Sequence, residues 1–141
     1  DIDPTTGNID PNSVEKLITD KTKAILGVHW AGQPFDIDAI NDIAKRNGIK
    51  VVEDAAHALG ATYNDIPIGS HSDFTCFSFQ AIKHMTTADG GAICSNSAES
   101  NNRIKKLRWF GLDRNYVGSK NHLTAHTKVQ HLIAKKGFFD V

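Results

Sequence analysis

The chain has 141 residues, of which 40% are hydrophobic and 23% charged, a balance that fits one globular unit and does not fit disorder. Its formal net charge is zero and its pI is about 7.2, so no basic excess points to nucleic acid or to an anionic membrane surface. No run approaches the ~18 apolar residues of a membrane span, and two cysteines are too few for a disulfide framework, so the expectation is a reduced, cytoplasmic chain.

Asp10-Pro11 predicts a first helix, with Asp10 as cap, Pro11 at the first helical position, and Val14, Leu17 and Ile18 at helical spacing on one face. The apolar run within Lys23 to His29 reads as a buried strand. A second helix is predicted from Ile37 to Asn47, with Ile37, Ile40, Ile43 and Ala44 on one stripe and Gly48 placed to end it. Ile49 to Glu53 is a further strand of the continuous apolar type. Asn64 to Gly69 reads as a tight turn and a short extended piece. Asp73 to Phe79 and Gly91 to Ser95 are two more apolar runs, and Ala98 to Leu107 is a polar amphipathic helix. Apolar runs without polar alternation, joined by helices and short connections, predict an α/β fold whose sheet is largely parallel and covered on both faces. From Asn115 onward the pattern degrades.

Several reactive side chains fall at predicted strand ends: Asp54 after Val51-Val52, Ser78 near the end of the Phe74 to Phe79 run, and Lys83 a few residues later. Ligands of open α/β sheets collect at the carboxyl ends of the strands, which makes these residues candidates for one site. Position alone leaves other readings open. An Asp after a buried strand can cap a helix or form a turn, a loop lysine can be solvated, and a serine among aromatics can hydrogen-bond to backbone. His29 ends a strand at the same edge, where it could touch substrate or serve in packing or capping. His71, His84, His122, His126 and His131 show no metal-ligand spacing supported by carboxylates, so no metal is expected.

Glu53-Asp-Ala-Ala-His-Ala58, Gly69-Ser-His-Ser-Asp73, Phe77-Ser-Phe-Gln-Ala-Ile-Lys-His84 and Asp89-Gly-Gly91, in this order, resemble the signature blocks of the DegT/StrS family of pyridoxal-phosphate-dependent sugar aminotransferases. Asp1-Ile-Asp-Pro4, Asn8-Ile-Asp-Pro11 and Val28-His-Trp-Ala-Gly-Gln-Pro34 match the same family. The resemblance runs over about residues 1 to 114, and several ordered blocks with consistent gaps are far more specific than one motif. It implies the three-layer α/β large domain of a fold-type-I enzyme, with a mostly parallel sheet, acting as a homodimer. It also implies transfer of an amino group, usually from glutamate, onto a nucleotide-linked keto-sugar. Carried over position by position, Lys83 would hold the aldehyde of pyridoxal phosphate as an imine. Asp54 would pair with the protonated pyridine nitrogen, and Ser78 would bind the phosphate. His57 would contact the cofactor ring face or its hydroxyl, although a histidine after two alanines can equally cap a turn. The chemistry suits these residue types. An amine traps an aldehyde and can shuttle a proton, an anionic carboxylate keeps the ring an electron sink, and a hydroxyl donates to a phosphate oxygen.

The chain departs from the family pattern at Ala88, where the family often has Gly. Lys83 favours transamination over the family's sugar dehydratases, which replace that lysine with histidine. Retention of Asp54, Ser78 and Lys83 together argues against a non-catalytic regulatory relative. Residues 1–114 are expected to form the central part of the large domain, and 115–141 a divergent or disrupted tail. Family members carry further chain on both sides, including a C-terminal small domain. The expectation is therefore a domain incomplete at both ends, inactive alone, with sheet edges and apolar faces that promote aggregation.

Overall fold

The computed structural model describes residues 1–108, of which residues 1–97 form one unit; the described part of the second unit is the helix Ala98–Leu107 followed by Arg108. The family-like block beyond Arg108 and the tail 115–141, with His122, His126 and His131, lie outside the described residues.

The first unit runs α1 (Pro11–Leu17), β1 (Ala24–Val28), α2 (Ile37–Asn47), β2 (Lys50–Asp54), β3 (Thr62–Tyr63), β4 (Ile66–Pro67), β5 (Phe74–Ser78) and β6 (Gly91–Cys94). Asp10 caps α1 by accepting from the Asn12 and Ser13 amides, both at 3.1 Å, and Pro11 opens the helix as expected. Asp36 caps α2 through the Ala39 amide at 3.0 Å. Gly48 ends α2 in the left-handed conformation, at φ 64°, which a residue with a Cβ adopts only at a cost. Asn64 and Asp65, both at positive φ, turn β3 back onto β4 as a two-residue hairpin. The second unit contributes α3 (Ala98–Leu107).

Four strands form a sheet in the order β1-β2-β5-β6. β1, β2 and β5 run parallel, and β6 returns antiparallel beside β5. Register places Ile25 beside Val51, Glu53 beside Thr75, and Thr75 beside Cys94, all on one face. Against that face α2 lays Ile37, Ile40, Ile43 and Ala44, and with Phe35, Ala55, Ala58 and Ile68 they make the core. Val14 and Ile18 of the first helical segment pack on it, whereas Leu17, expected on the same face, is 73% exposed. The second face is less covered than the apolar runs predict: Leu26 is 59% exposed and Ile93 50%. β1 therefore alternates between buried and exposed positions although its sequence is continuously apolar.

Beneath the carboxyl ends of β1 and β2 the core holds an ionisable pair. His29 and Glu53 are both fully buried, and their side chains meet at 2.9 Å, Nε2 to Oε2. The Phe35 amide donates to His29 Nδ1 at 3.4 Å, which leaves the imidazole proton on Nε2, directed at the carboxylate. The imidazole also stacks on the Phe35 ring, with centroids 4.6 Å apart. Of the readings open for His29, the structure supports packing and not contact with substrate. Strand alternation turns it into the core, and Trp30 faces outward instead.

Two consequences can be measured. A Cβ at Gly27 would lie 2.5 Å from Phe35 Cε1, and that ring is too buried to retreat. Gly27→Ala should therefore destabilise the protein by about 1–3 kcal/mol, seen as a lower urea midpoint with an unchanged slope. Burial pushes the Glu53 carboxyl up, but the His29 hydrogen bond and the His29 and His71 imidazoles outweigh it, so Glu53 titrates below its ordinary 4.5. Such a group adds stability that is complete above the unfolded value and is lost as pH falls through the lower folded one. Thermal unfolding followed from about pH 6 to about pH 3 should show this decline, and Glu53→Gln should flatten it. Superimposable acid limbs in the two proteins would rule the linkage out.

Candidate active site at the carboxyl ends of the parallel strands

Because β1, β2 and β5 are parallel, their carboxyl ends lie at one edge of the sheet. Asp54 is the last residue of β2 and stands opposite Cys76 on β5. Ser78 lies two residues beyond Cys76, so Asp54, Cys76 and Ser78 share the face opposite the buried Glu53. One Asp54 oxygen, Oδ1, accepts from the Ala56 amide at 3.0 Å, and among the described residues no donor reaches Oδ2. Ser78 Oγ accepts from the Gln80 amide at 3.3 Å, which keeps the hydroxyl proton free to point past the strand end. The Cys76 thiol, beside Asp54, is pushed up by burial, by the Asp54 carboxylate and by Cys94, so it stays protonated and is a poor nucleophile.

Lys83 stands in the loop from β5 to β6, half-buried, and its side chain makes no ion pair among the described residues. The loop is closed at its base: Phe79 donates to the Gly90 carbonyl at 2.9 Å, and the Phe79 carbonyl accepts from the Thr87 amide at 3.0 Å and the Thr86 hydroxyl at 3.1 Å. Ala88, where the resembling family often has Gly, sits at φ 69° in the left-handed region. The observed conformation explains the glycine preference, and an alanine there costs about 1–2 kcal/mol.

His57 is exposed in the loop that follows Asp54. The turn Trp30–Gly32 lies behind it, with the Trp30 ring edge-on to the imidazole at 6.4 Å between centroids. A Cβ on Gly32 would come 2.9 Å from the His57 carbonyl oxygen, so this approach requires glycine.

Two residues missed as site elements in the sequence hold these loops together. Asn8 is buried; its amide donates to the Gln33 carbonyl at 3.0 Å and the Pro34 carbonyl at 3.2 Å, and its oxygen accepts from the Trp30 amide at 3.0 Å. His84, next to Lys83, donates from Nε2 to the Leu59 carbonyl at 2.9 Å and so ties the lysine loop to the loop that carries His57. His84 and Asn8 each had only a place in a family-like block as a sequence signal. Two clefts elsewhere, one beside Lys23 and Gly48 and one between Asp10 and Phe35, contain none of the candidate side chains. Among the described residues, no group of three or more His, Cys, Asp or Glu is placed to hold a metal ion, and no helix is long and apolar enough to cross a membrane.

The pattern of the DegT/DnrJ/EryC1/StrS aminotransferase family matches residues 1–137. The spore coat polysaccharide biosynthesis protein SpsC of Bacillus subtilis is 43% identical over 114 residues, which are 81% of this chain and 29% of SpsC. Among solved structures, DesI in the presence of its TDP-sugar product superposes with a TM-score of 0.77 at 41% identity, covering 82% of this chain and 29% of DesI. The GDP-4-keto-6-deoxy-D-mannose-3-dehydratase of E. coli with bound hydrated PLP superposes with a TM-score of 0.74 at 36% identity, covering 82% of this chain and 30% of that one. The chain thus spans under a third of the length of these relatives. The family match over most of the chain and the likeness in sequence and fold agree, and the chain belongs to the DegT/DnrJ/EryC1/StrS aminotransferase family.

Proposed function

We propose that residues 1–114 supply the cofactor-anchoring part of the large domain of a pyridoxal-phosphate enzyme. In this reading the enzyme transfers an amino group from an amino acid, glutamate by preference, to a nucleotide-linked keto-sugar. The observation that carries it is the donor set at one sheet edge. A carboxylate with an uncommitted oxygen ends β2, a hydroxyl with an uncommitted proton ends β5, and an unpaired lysine follows in the next loop. Those three groups match the ring nitrogen, the phosphate and the aldehyde of pyridoxal phosphate. Support also comes from the TDP-sugar product of DesI, from the polysaccharide role of SpsC and from the PLP bound by the E. coli dehydratase.

When bound, pyridoxal phosphate supplies an electron sink for a carbanion. The chain's own residues do the rest. The Lys83 amine would hold the cofactor through its aldehyde and would serve to move a proton between the two carbons that exchange the amino group. The Asp54 carboxylate would hold the proton on the ring nitrogen, Ser78 would donate to the phosphate, and His57 would contact the ring or its hydroxyl. The second reading is a sugar dehydratase relative. Lys83, in place of the histidine of the family's dehydratases, favours transamination. The proposed enzyme is a cytoplasmic homodimer.

The enzyme should lose the visible absorbance of bound pyridoxal phosphate, and all turnover, in Lys83→Ala. Borohydride should fix cofactor mass on the wild-type peptide that holds Lys83 and on no peptide of the variant; a retained adduct in the variant would refute the lysine's role. Asp54→Asn replaces an anion by a neutral amide and should cut kcat by roughly 10²-fold or more without unfolding the protein. Wild-type kcat in Asp54→Asn would make Asp54 structural.

A further inference from the structure

Glu53 and His29 take no part in the chemistry proposed above, yet they lie directly behind it. A buried carboxylate is costly, and among the described residues Glu53 is incompletely satisfied: Oε1 has no hydrogen-bond partner there, nor has Thr75 Oγ1 opposite it. The Ser72 hydroxyl nearby gives its proton to Asn41 Oδ1 at 3.1 Å. An apolar pair of similar volume would pack as well or better. The placement of the pair is what an apolar substitute could not reproduce.

His29 grips the end of β2 twice. Its backbone amide donates to the Asp54 carbonyl at 3.0 Å, and its ring donates to Glu53 at 2.9 Å. On the other side of Asp54, the Ala55 amide donates to the Cys76 carbonyl at 2.8 Å. The same imidazole accepts from the Phe35 amide and so closes the segment 29–35, whose Gly32 packs beneath the His57 carbonyl. One buried side-chain pair thus fixes the backbone from which Asp54 projects and the turn that backs His57.

We propose that His29 and Glu53 are positioning residues for the Asp54 carboxylate, holding it where it meets the cofactor's ring nitrogen; this rests on the cofactor reading above. The pair touches neither cofactor nor substrate. Its effect passes through two peptide units, and the carboxylate matters as an acceptor that fixes the imidazole, not as a titrating group.

The test loads the protein with pyridoxal phosphate carrying nitrogen-15 in the ring. It measures the cofactor dissociation constant and the nitrogen-15 shift, which reports ring protonation. Glu53→Ala strands the His29 Nε2–H and should weaken cofactor binding about tenfold while moving the ring nitrogen toward its unprotonated form. Glu53→Gln keeps an oxygen acceptor for His29 and should restore both readouts. Should Glu53→Ala fail to fold, His29→Phe with Glu53→Leu removes both polar groups without stranding a charge, and the same two losses are expected. Wild-type affinity and ring protonation in the folded variant lacking the pair would overturn the proposal and leave the cofactor reading standing. A wild-type protein that takes up no pyridoxal phosphate would overturn both.

Discussion

Successive residues of a strand point to opposite faces, and the step from Glu53 to Asp54 crosses the sheet in this way. Glu53 enters the core beneath α2, and Asp54 emerges on the face it shares with Cys76 and Ser78. β2 is paired on both sides, with β1 and with β5, so its end cannot shift without breaking two ladders. The parallel direction of those neighbours then brings Trp30, His57 and the Lys83 loop to the same edge. A one-residue slip of β2 would bury Asp54 and expose Glu53, reversing every role at that edge.

The chain accepts local strain around this edge. Ala31, in the turn behind His57, and Ala88, in the loop after Lys83, both hold left-handed backbone at about 1–2 kcal/mol each. Both are over-determined by their surroundings: Asn8 and His29 fix the first loop, and the Phe79 hydrogen bonds fix the second. The unpartnered Glu53 oxygen and Thr75 hydroxyl belong to the same region.

Membership of the aminotransferase family and the physical arrangement of the strand ends are separate observations. Family similarity names residue types and their order. The sheet explains why residues 54, 78 and 83, far apart in sequence, belong to one place.

The sequence by itself determined the elements. The Ile37–Asn47 stripe, its Gly48 stop, the Asp10 cap and all four sheet strands are local consequences of periodicity, capping and backbone preference, and they were legible residue by residue. The order of family-like blocks named Asp54, His57, Ser78 and Lys83. What the sequence did not determine was which neighbour each side chain meets. Val28 and His29 adjoin in an apolar stretch that reads as uniformly buried, yet only His29 reaches the core, because face assignment depends on register with β2. The same holds for the exposure of Leu26 and Leu17, and for the antiparallel return of β6. The long-range hydrogen bonds of Asn8 and His84 leave no periodic or compositional trace. They join segments 22 to 26 positions apart, a closeness that tertiary packing alone decides.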